Sequence, residues 1–182
     1  MMLEPIHIEH ADLLVHSFRA EEIKGIESVA EQVYGILSDE DTLRFLPEKR
    51  LSSVDDAETF LKGSLLNFHS GKNYLHFISN RKSEKIIGMI DVIPPETAMQ
   101  YYQLEHYPYF IEFYLKANAG RKQVMSLVLP LFIEKVKQQR IRELAAITNR
   151  DNIGAQKVLL RSGFGFRGSF DSLQDFYTIS FN

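Results

Sequence analysis

Apolar residues recur along this chain in two periods, and each change of period marks a new predicted element. Alternating or continuous apolar runs predict strands at 13–18, 74–79, 86–93, 110–115, 144–148, 165–170 and 176–181. Helical spacing predicts helices at 21–37, 53–71, 123–138 and about 152–162. The order of these elements indicates an α+β fold, with a mixed central sheet of about seven strands and helices on both faces.

Three segments depart from these patterns. Residues 1–11 have no clear structure in the sequence. Residues 97–109 are rich in tyrosine, and we expect an irregular or partly helical segment that lines an acceptor pocket or packs on the sheet edge. Pro130 falls inside the predicted helix 123–138, where a proline costs about 3 kcal/mol. We therefore expect a kink or a break near residues 126–130.

Length and charge narrow the class of protein. A chain of 182 residues is expected to form one domain, residues 1–182, with a sizeable core. A net charge of -3 argues against general nucleic-acid binding, which requires a basic face. No apolar run approaches the roughly 18 residues of a membrane span, and the first residues lack a signal-peptide pattern. We therefore expect a cytoplasmic protein with no membrane partner.

The inventory of reactive side chains excludes several kinds of chemistry. The chain has no cysteine, which removes disulfides, thiolate metal sites and a cysteine nucleophile together. Its six histidines lack the spacing of metal ligands, so no metal is predicted. The sequence also lacks the GxxxxGK[ST], GxSxG and GxGxxG motifs.

Residues 111–164 contain the most informative pattern in the chain. A buried strand is followed by a loop with Gly120, Arg121 and Lys122, and then by the predicted helix. Basic side chains and free N–H groups at a helix start form a common phosphate-binding arrangement. The alternative is that Arg121 and Lys122 belong to a solvated helix start with no ligand.

The same stretch resembles the GNAT superfamily of acyl-CoA-dependent N-acetyltransferases, and in particular its ribosomal-protein N-terminal acetyltransferases. The residues that carry the C-terminal signature are Asn152, Ala155, Val158, Leu159, Leu160, Gly163 and Phe164. The strand IEFYL is similar to the family's cofactor-side strand, and the N-terminal half follows the same order of elements. The resemblance implies acetyl-CoA as cosubstrate, held in a V-shaped opening where two neighbouring strands splay apart.

The resemblance also implies which residues hold acetyl-CoA. The pantetheine arm would meet backbone groups of Phe113, Tyr114 and Leu115. The pyrophosphate would lie on the loop and helix start, formed by Gly120, Arg121, Lys122, Gln123, Val124 and Met125. Asn152 is expected to hydrogen-bond the cofactor or the backbone, or to cap the last helix. The loop departs from the family pattern, because Ala117 and Lys122 stand at its outer positions and only one glycine is kept.

Acetyl transfer to an amine requires a group that accepts the amine proton. Glu112, on the IEFYL strand, is the candidate general base, acting through a water. Its alternative role is a surface or cross-strand ion pair. Glu105 and His106 are weaker candidates. A general acid is missing at both positions where the family can supply one, because Ala155 and Leu159 occupy them.

The sequence therefore predicts an N-acetyltransferase that moves an acetyl group from acetyl-CoA directly to a primary amine, either a protein N-terminus or a small amine. The alternative hypothesis is a non-catalytic protein of the same fold that binds an acyl-CoA or a protein partner. An exposed final strand could also pair with a second copy of the chain in a homodimer.

Overall fold

The computed structural model of the protein describes residues 2–120 and 123–181. Its strands are β1 (Ile8–His10), β2 (Leu13–Ser17), β3 (Tyr74–Asn80), β4 (Lys85–Ile93), β5 (Tyr109–Leu115), β6 (Glu143–Asn149), β7 (Gly165–Ser169) and β8 (Gln174–Ser180). Its α-helices are α1 (Ile26–Leu37), α2 (Val54–His69), α3 (Pro95–Tyr101), α4 (Ala117–Gly120), α5 (Val124–Gln138) and α6 (Ile153–Arg161).

The strands form one mixed sheet in the order β1-β2-β3-β4-β5-β6-β8-β7. This confirms the predicted α+β class, and β1 is the strand that the sequence pattern did not predict. The final strand β8 lies between β6 and β7 and pairs with β6 from Glu143↔Ser180 to Asn149↔Gln174. The expectation that the final strand is an exposed edge is therefore wrong, because the β7–β8 hairpin attaches to the sheet through its second strand.

Helices cover both faces of the sheet, as predicted. Helices α1 and α2 pack on one face through a cluster that includes Val33, Ile36 and Leu61. Helix α5 packs on the other face, where Val128 and Phe132 belong to the largest core cluster. The two faces become separate apolar layers because strand side chains alternate in direction along each strand.

Local signals in the sequence account for most helix boundaries. The Ser53 hydroxyl accepts a hydrogen bond from the Asp56 N–H at 3.1 Å and caps α2, as expected. Helix α3 occupies the first part of the tyrosine-rich segment, which is partly helical as predicted. Helix α5 continues through Pro130, so the predicted interruption does not take the form of a break. Burial of the apolar face of α5 compensates for the lost hydrogen bond.

No helix in the described residues has both the length and the apolar character needed to cross a membrane.

Strand β5 is paired very differently on its two sides. It pairs antiparallel with β4 along six residues, from Ile93↔Phe110 to Gly88↔Leu115. With β6 it pairs in parallel only at Tyr109↔Leu144 and Phe110↔Ala145. Beyond Phe110 the two strands diverge, and this confirms the predicted V-shaped opening in the sheet.

Candidate active site

The opening between β5 and β6 holds two adjoining cavities. The inner cavity has a volume of about 360 Å³ and is lined by residues that include Tyr102, Glu112, Thr148 and Gln174. The outer cavity has a volume of about 290 Å³ and extends past the end of β5 to the start of α5. Both cavities are lined by Phe45, Leu46, Phe113, Asn152 and Ala155. The shared walls make the two cavities parts of one cleft.

A loop from the α1 side covers the cleft and is tied to the end of β5. The Thr42 N–H donates to Asp39 Oδ1 at 2.8 Å, and the Thr42 hydroxyl donates to the Leu115 carbonyl at 3.2 Å. Hydrogen bonds from Thr42 hold the pKa of Asp39 below its usual value. Leu43 is buried and anchors the loop in the core. These contacts position Phe45 over the cleft.

The backbone of β5 has polar groups that face the cleft. The Lys116 N–H donates to the Ile87 carbonyl at 2.9 Å, which places Lys116 in a hydrogen-bonded pair with β4. Hydrogen-bonded and non-bonded positions alternate along an antiparallel pair of strands. The backbone groups of Tyr114 and Glu112 therefore also form hydrogen bonds with β4. The N–H and C=O groups of Phe113 therefore point toward the opening. Buried polar groups of this kind require a partner, such as a ligand or water.

The start of α5 lies at the outer cavity. Gln123, Met125 and Ser126 line that cavity, and Gln123 adopts a left-handed φ of 56° without making a side-chain capping bond. The first N–H groups of a helix have no intrahelical acceptor and carry a partial positive charge. The outer end of the cleft is therefore suited to an anionic group.

The other residues expected around this loop are placed differently. Val124 is buried and lines a separate cavity, together with Lys116 and Asn118. Gly120 is the last residue of the short helix α4. Arg121 and Lys122 lie outside the described residues.

Asn152 caps the final helix and also lines the cleft. Its Oδ1 accepts a hydrogen bond from the Ala155 N–H at 3.1 Å, as the capping alternative expected. The residue borders both the inner and the outer cavity. The cap therefore holds a polar side chain at the junction of the two cavities.

Glu112 lies in the wall of the inner cavity with its carboxylate in a defined network. Glu112 Oε2 accepts a hydrogen bond from Lys49 Nζ at 2.8 Å and another from the Tyr114 hydroxyl at 2.6 Å. Burial raises the pKa of Tyr114, and the negative charge of Glu112 raises it further. The ion-pair alternative for Glu112 is thus present in the structure, and the pair lies at the cleft.

Lys49 is a residue of this network that the sequence alone did not identify. It is on the short 3₁₀ turn Pro47–Lys49, and nothing in its local sequence distinguishes it from other surface lysines. Burial by itself would lower the pKa of Lys49, but the charges of Glu112, Asp91 and Glu48 raise it on balance. Lys49 is therefore a cation that is matched to the carboxylates around it.

Asp91 is a second residue near Glu112 that the sequence alone did not identify. It is the register partner of Glu112 on β4, and it is 6% exposed. Burial raises the pKa of Asp91 to about 7, and the Glu112 charge contributes to that shift. A lone carboxylate within the otherwise apolar strand IIGMIDVI was the signal that could have identified it.

The other candidate residues differ in whether they line the cleft. Glu105 and His106 line neither cavity, and His106 Nε2 lies 3.1 Å from Glu143 Oε2. Ala155 and Leu159 present apolar side chains to the inner cavity. Tyr102 lines the same cavity, where burial and the Glu112 charge raise its pKa. Within residues 2–120 and 123–181, no group of three or more His, Asp or Glu side chains is placed to hold a metal ion.

A mixed sheet that splays beside a helix start, with a carboxylate in the inner wall of the opening, has the architecture of an acyl-CoA-dependent acyltransferase. Residues 1–165 match the family described as acetyltransferase (GNAT) domain, and this protein belongs to that family. Its enzyme class is therefore that of the acyl-CoA N-acyltransferases.

Solved structures share this fold at low sequence identity. A GNAT-family acetyltransferase from Bacillus anthracis is 16% identical with a TM-score of 0.70, and the match covers 96% of this chain and 98% of that one. The ribosomal-protein-S5-alanine acetyltransferase from Vibrio fischeri is 13% identical with a TM-score of 0.70, covering 96% of each chain. The spermidine N-acetyltransferase from Vibrio cholerae, in complex with CoA and spermine, is 10% identical with a TM-score of 0.67, covering 94% and 96%. No curated protein matches the chain.

Proposed function

We propose that this protein transfers an acetyl group from acetyl-CoA directly to a primary amine. The observation that supports this best is the unpaired edge of β5, which leads from Glu112 in the inner cavity to the start of α5 at the outer cavity. A thioester substrate with an anionic tail matches the polarity of this cleft, with the helix start at its outer end.

In this proposal acetyl-CoA lies along β5 as a substitute for a neighbouring strand. The pantetheine amides would bond to the backbone groups of Phe113, and the arm would follow Tyr114 and Leu115. The pyrophosphate would meet the free N–H groups at Gln123 and Met125, where a helix start stabilises negative charge. Gly120, Arg121, Lys122 and Val124 remain candidates for the same loop, and Asn152 would contact the arm midway.

The acetyl group would then lie in the inner cavity beside Glu112. An acceptor amine is protonated near neutral pH and must lose a proton before it can attack. Glu112 would take that proton through a water and release it to solvent. The neutral nitrogen would then form a bond to the carbonyl carbon as the C–S bond breaks, and the second proton that the nitrogen loses would pass through the water to the CoA thiolate. No covalent intermediate with the protein is required.

The lining of the inner cavity supports an amine acceptor. Glu48 and Glu112 both line this cavity, and none of the described residues that line it is a lysine or an arginine. Lys49 pairs with Glu112, which leaves Glu48 as the carboxylate of the lining without a lysine partner in hydrogen-bond contact among the described residues. A cavity of this polarity favours a cation over an anion. The similar solved structures include one that acts on a ribosomal protein and one that acts on spermidine, and both a protein N-terminus and a small amine are retained as acceptors in the proposal.

A non-catalytic acyl-CoA-binding protein is the second candidate. Two observations favour it: Glu112 Oε2 is already engaged by Lys49 and Tyr114, and the side chains of Ala155 and Leu159 offer no proton donor. The same cleft would then bind an acyl-CoA, or a protein partner, without turnover.

Thermal shift with acetyl-CoA, followed by thiol release with a panel of amines, tests the proposal. We expect stabilisation by acetyl-CoA and turnover with at least one amine. Glu112→Gln should retain acetyl-CoA binding and lose about 10²–10⁴-fold in kcat. The matched control is Glu105→Gln, because Glu105 is exposed and lines neither cavity. Stabilisation without turnover would favour the second candidate, and undiminished turnover in Glu112→Gln would remove Glu112 from the mechanism.

A further inference from the structure

The buried carboxyl group of Asp91 lies beside Glu112, the candidate base. Asp91 and Glu112 are opposite each other in the antiparallel pair of β4 and β5. Side chains at opposed positions are on the same face of a sheet, with Cβ atoms about 4.5–5.5 Å apart. Two carboxyl groups at this spacing influence each other's charge strongly, and more so in a buried position.

The partners of the two carboxyl groups are unequal. Glu112 receives hydrogen bonds from Lys49 and Tyr114. Asp91 Oδ2 accepts one bond from Asn73 Nδ2 at 2.8 Å, whereas Asp91 Oδ1 is buried with no hydrogen-bond partner among the described residues. The Asn73 amide is itself oriented by the Tyr74 N–H, which donates to Asn73 Oδ1 at 2.8 Å.

One cation serves both carboxyl groups. Lys49 is 2.8 Å from Glu112 and is also influenced by the charge of Asp91. The other titratable groups in electrostatic contact with Asp91 are the phenols of Tyr102 and Tyr114, and Glu48 acts on the same two phenols. Lys49 is the one cation acting on both groups among the described residues. Glu112 is therefore the better compensated carboxylate, and Asp91 is the group that holds a proton more readily.

We propose that Asp91 is a positioning residue that acts through Glu112: the two groups share Lys49, and ionisation of Asp91 makes Glu112 a stronger base. A like charge beside a carboxylate favours its protonated form, so Glu112 would accept the amine proton more readily once Asp91 has lost its own. Asp91 lines neither cavity and does not contact the substrates in this proposal. The inference rests on the proposed function only for the kinetic consequence.

A carboxyl-¹³C NMR titration of Glu112 tests the coupling without any need for turnover. We expect the Glu112 carboxyl signal in the native protein to show a step near pH 7, where the neighbouring Asp91 ionises. The isosteric Asp91→Asn variant should lose that step, whereas Asp55→Asn, on the exposed side of α2, should retain it. A pH dependence of the Glu112 signal that is identical in the native protein and in Asp91→Asn would overturn the proposal.

A second variant keeps the test decisive if Asp91→Asn folds poorly. Lys49→Met removes the shared cation, and the step near pH 7 should then move to higher pH, because Asp91 loses a favourable neighbour. A step that stays in place in Lys49→Met would contradict the shared-cation arrangement. Both NMR measurements can be made even if the protein acetylates no amine. They therefore test the coupling between Asp91 and Glu112 independently of the proposed function.

Kinetics supply the remaining readout. We expect Asp91→Asn to lower kcat by about tenfold at pH 8.5 and by less than about twofold at pH 6, with the KM for acetyl-CoA unchanged. In a Glu112→Gln background the Asp91→Asn change should have no further effect. An equal loss at both pH values, or the same loss in the Glu112→Gln background, would indicate a merely structural role and overturn the proposal.

Discussion

The two edges of strand β5 differ in how far their backbone groups are paired with a neighbouring strand. On the β4 side, the backbone is paired along six residues and the side chains of Asp91 and Glu112 are opposed. On the β6 side, only Tyr109 and Phe110 are paired. The first side is completed by the protein itself, and the second stays unpaired beyond Phe110 among the described residues.

This difference shows how one strand can be both rigid and accessible. The β4 side approaches so closely at Gly88 that no larger residue fits there, and this fixes the position of the β5 backbone. The β6 side keeps that fixed backbone open toward the cleft. Preorganised polar groups of this kind bind a ligand without the loss of conformational freedom that a mobile segment would undergo.

The largest expected effect comes from filling the open side. Ala155 lines both cavities from α6, and an Ala155→Trp side chain would occupy the space between them. We expect acetyl-CoA affinity to fall by at least about 100-fold, which corresponds to about 2.7 kcal/mol. Isothermal titration calorimetry with acetyl-CoA measures this effect.

A matched substitution on the same helix separates the cleft from the fold. Leu160 is 53% exposed and lines neither cavity, so Leu160→Trp should leave acetyl-CoA binding unchanged. Equal affinities for Ala155→Trp and the native protein would show that the ligand does not occupy the junction of the cavities.

On the closed side, a single methyl group should destabilise the protein. A Cβ at Gly88 would lie 2.6 Å from the Tyr114 carbonyl oxygen and 2.6 Å from Leu115 Cδ2. We expect Gly88→Ala to lower the free energy of unfolding by about 2–3 kcal/mol, because a backbone atom must move. Urea denaturation checks this value.

The control for Gly88→Ala is a glycine with open space. A Cβ at Gly63 in α2 would meet nothing within 4 Å, so Gly63→Ala should stabilise the protein by about 0.5–1 kcal/mol. A neutral Gly88→Ala would mean that β4 and β5 can separate, and the contrast between the two sides of β5 would be weaker than described.

The smallest effect concerns acid stability on the closed half of the sheet. His76 on β3 is fully buried, accepts a hydrogen bond from the Ile6 N–H at Nε2, and contacts the Tyr74 carbonyl through Nδ1 at 2.9 Å. Burial lowers the pKa of His76 from 6.5 to about 3. The unfolded chain therefore binds a proton that the folded protein does not, and stability falls as the pH drops below 6.5.

We expect this histidine to remove about 2 kcal/mol of the free energy of unfolding between pH 7.5 and pH 5. Asp91 acts in the opposite direction, because its pKa is raised from 3.8 to about 7 and its contribution to stability is lost as the pH rises through that range. Whatever its absolute stability, His76→Gln should raise stability at pH 5 relative to pH 7.5 by about 2 kcal/mol compared with the native protein, and His69→Gln, an exposed control, should not. An unchanged acid limb in His76→Gln would assign it to other groups.

Local sequence patterns predicted the helices and strands themselves better than they predicted which strands pair with each other. Ser53, Asn152 and the apolar spacing of α5 were readable because caps and helix faces depend on residues within one or two turns. A kink or a break was expected near Pro130, and the break is absent because the burial that holds α5 together comes from the sheet. The edge position of β8 was wrong, since strand order depends on pairings between residues far apart in the chain.

The candidate site divides in the same way. Glu112 could be proposed as a base from the strand that contains it, and the expectation that residues 113–115 contact the cofactor followed from a resemblance in the same stretch. Lys49 and Asp91 could not be assigned to the site, because they come from a turn and from β4, 63 and 21 positions away from Glu112 along the chain. Only their packing against Glu112 shows that the carboxylate is already paired.

The amino-acid sequence alone determined the periods of the strands and helices, the capping of α2 and α6, and the family to which the chain is similar. These properties depend on neighbouring residues and on short motifs. The tertiary structure decided where β5 stops pairing with β6, which carboxyl group lies opposite Glu112 on β4, and which lysine lies near both carboxyl groups. Those features depend on register between strands and on burial, and both arise only when distant segments pack together.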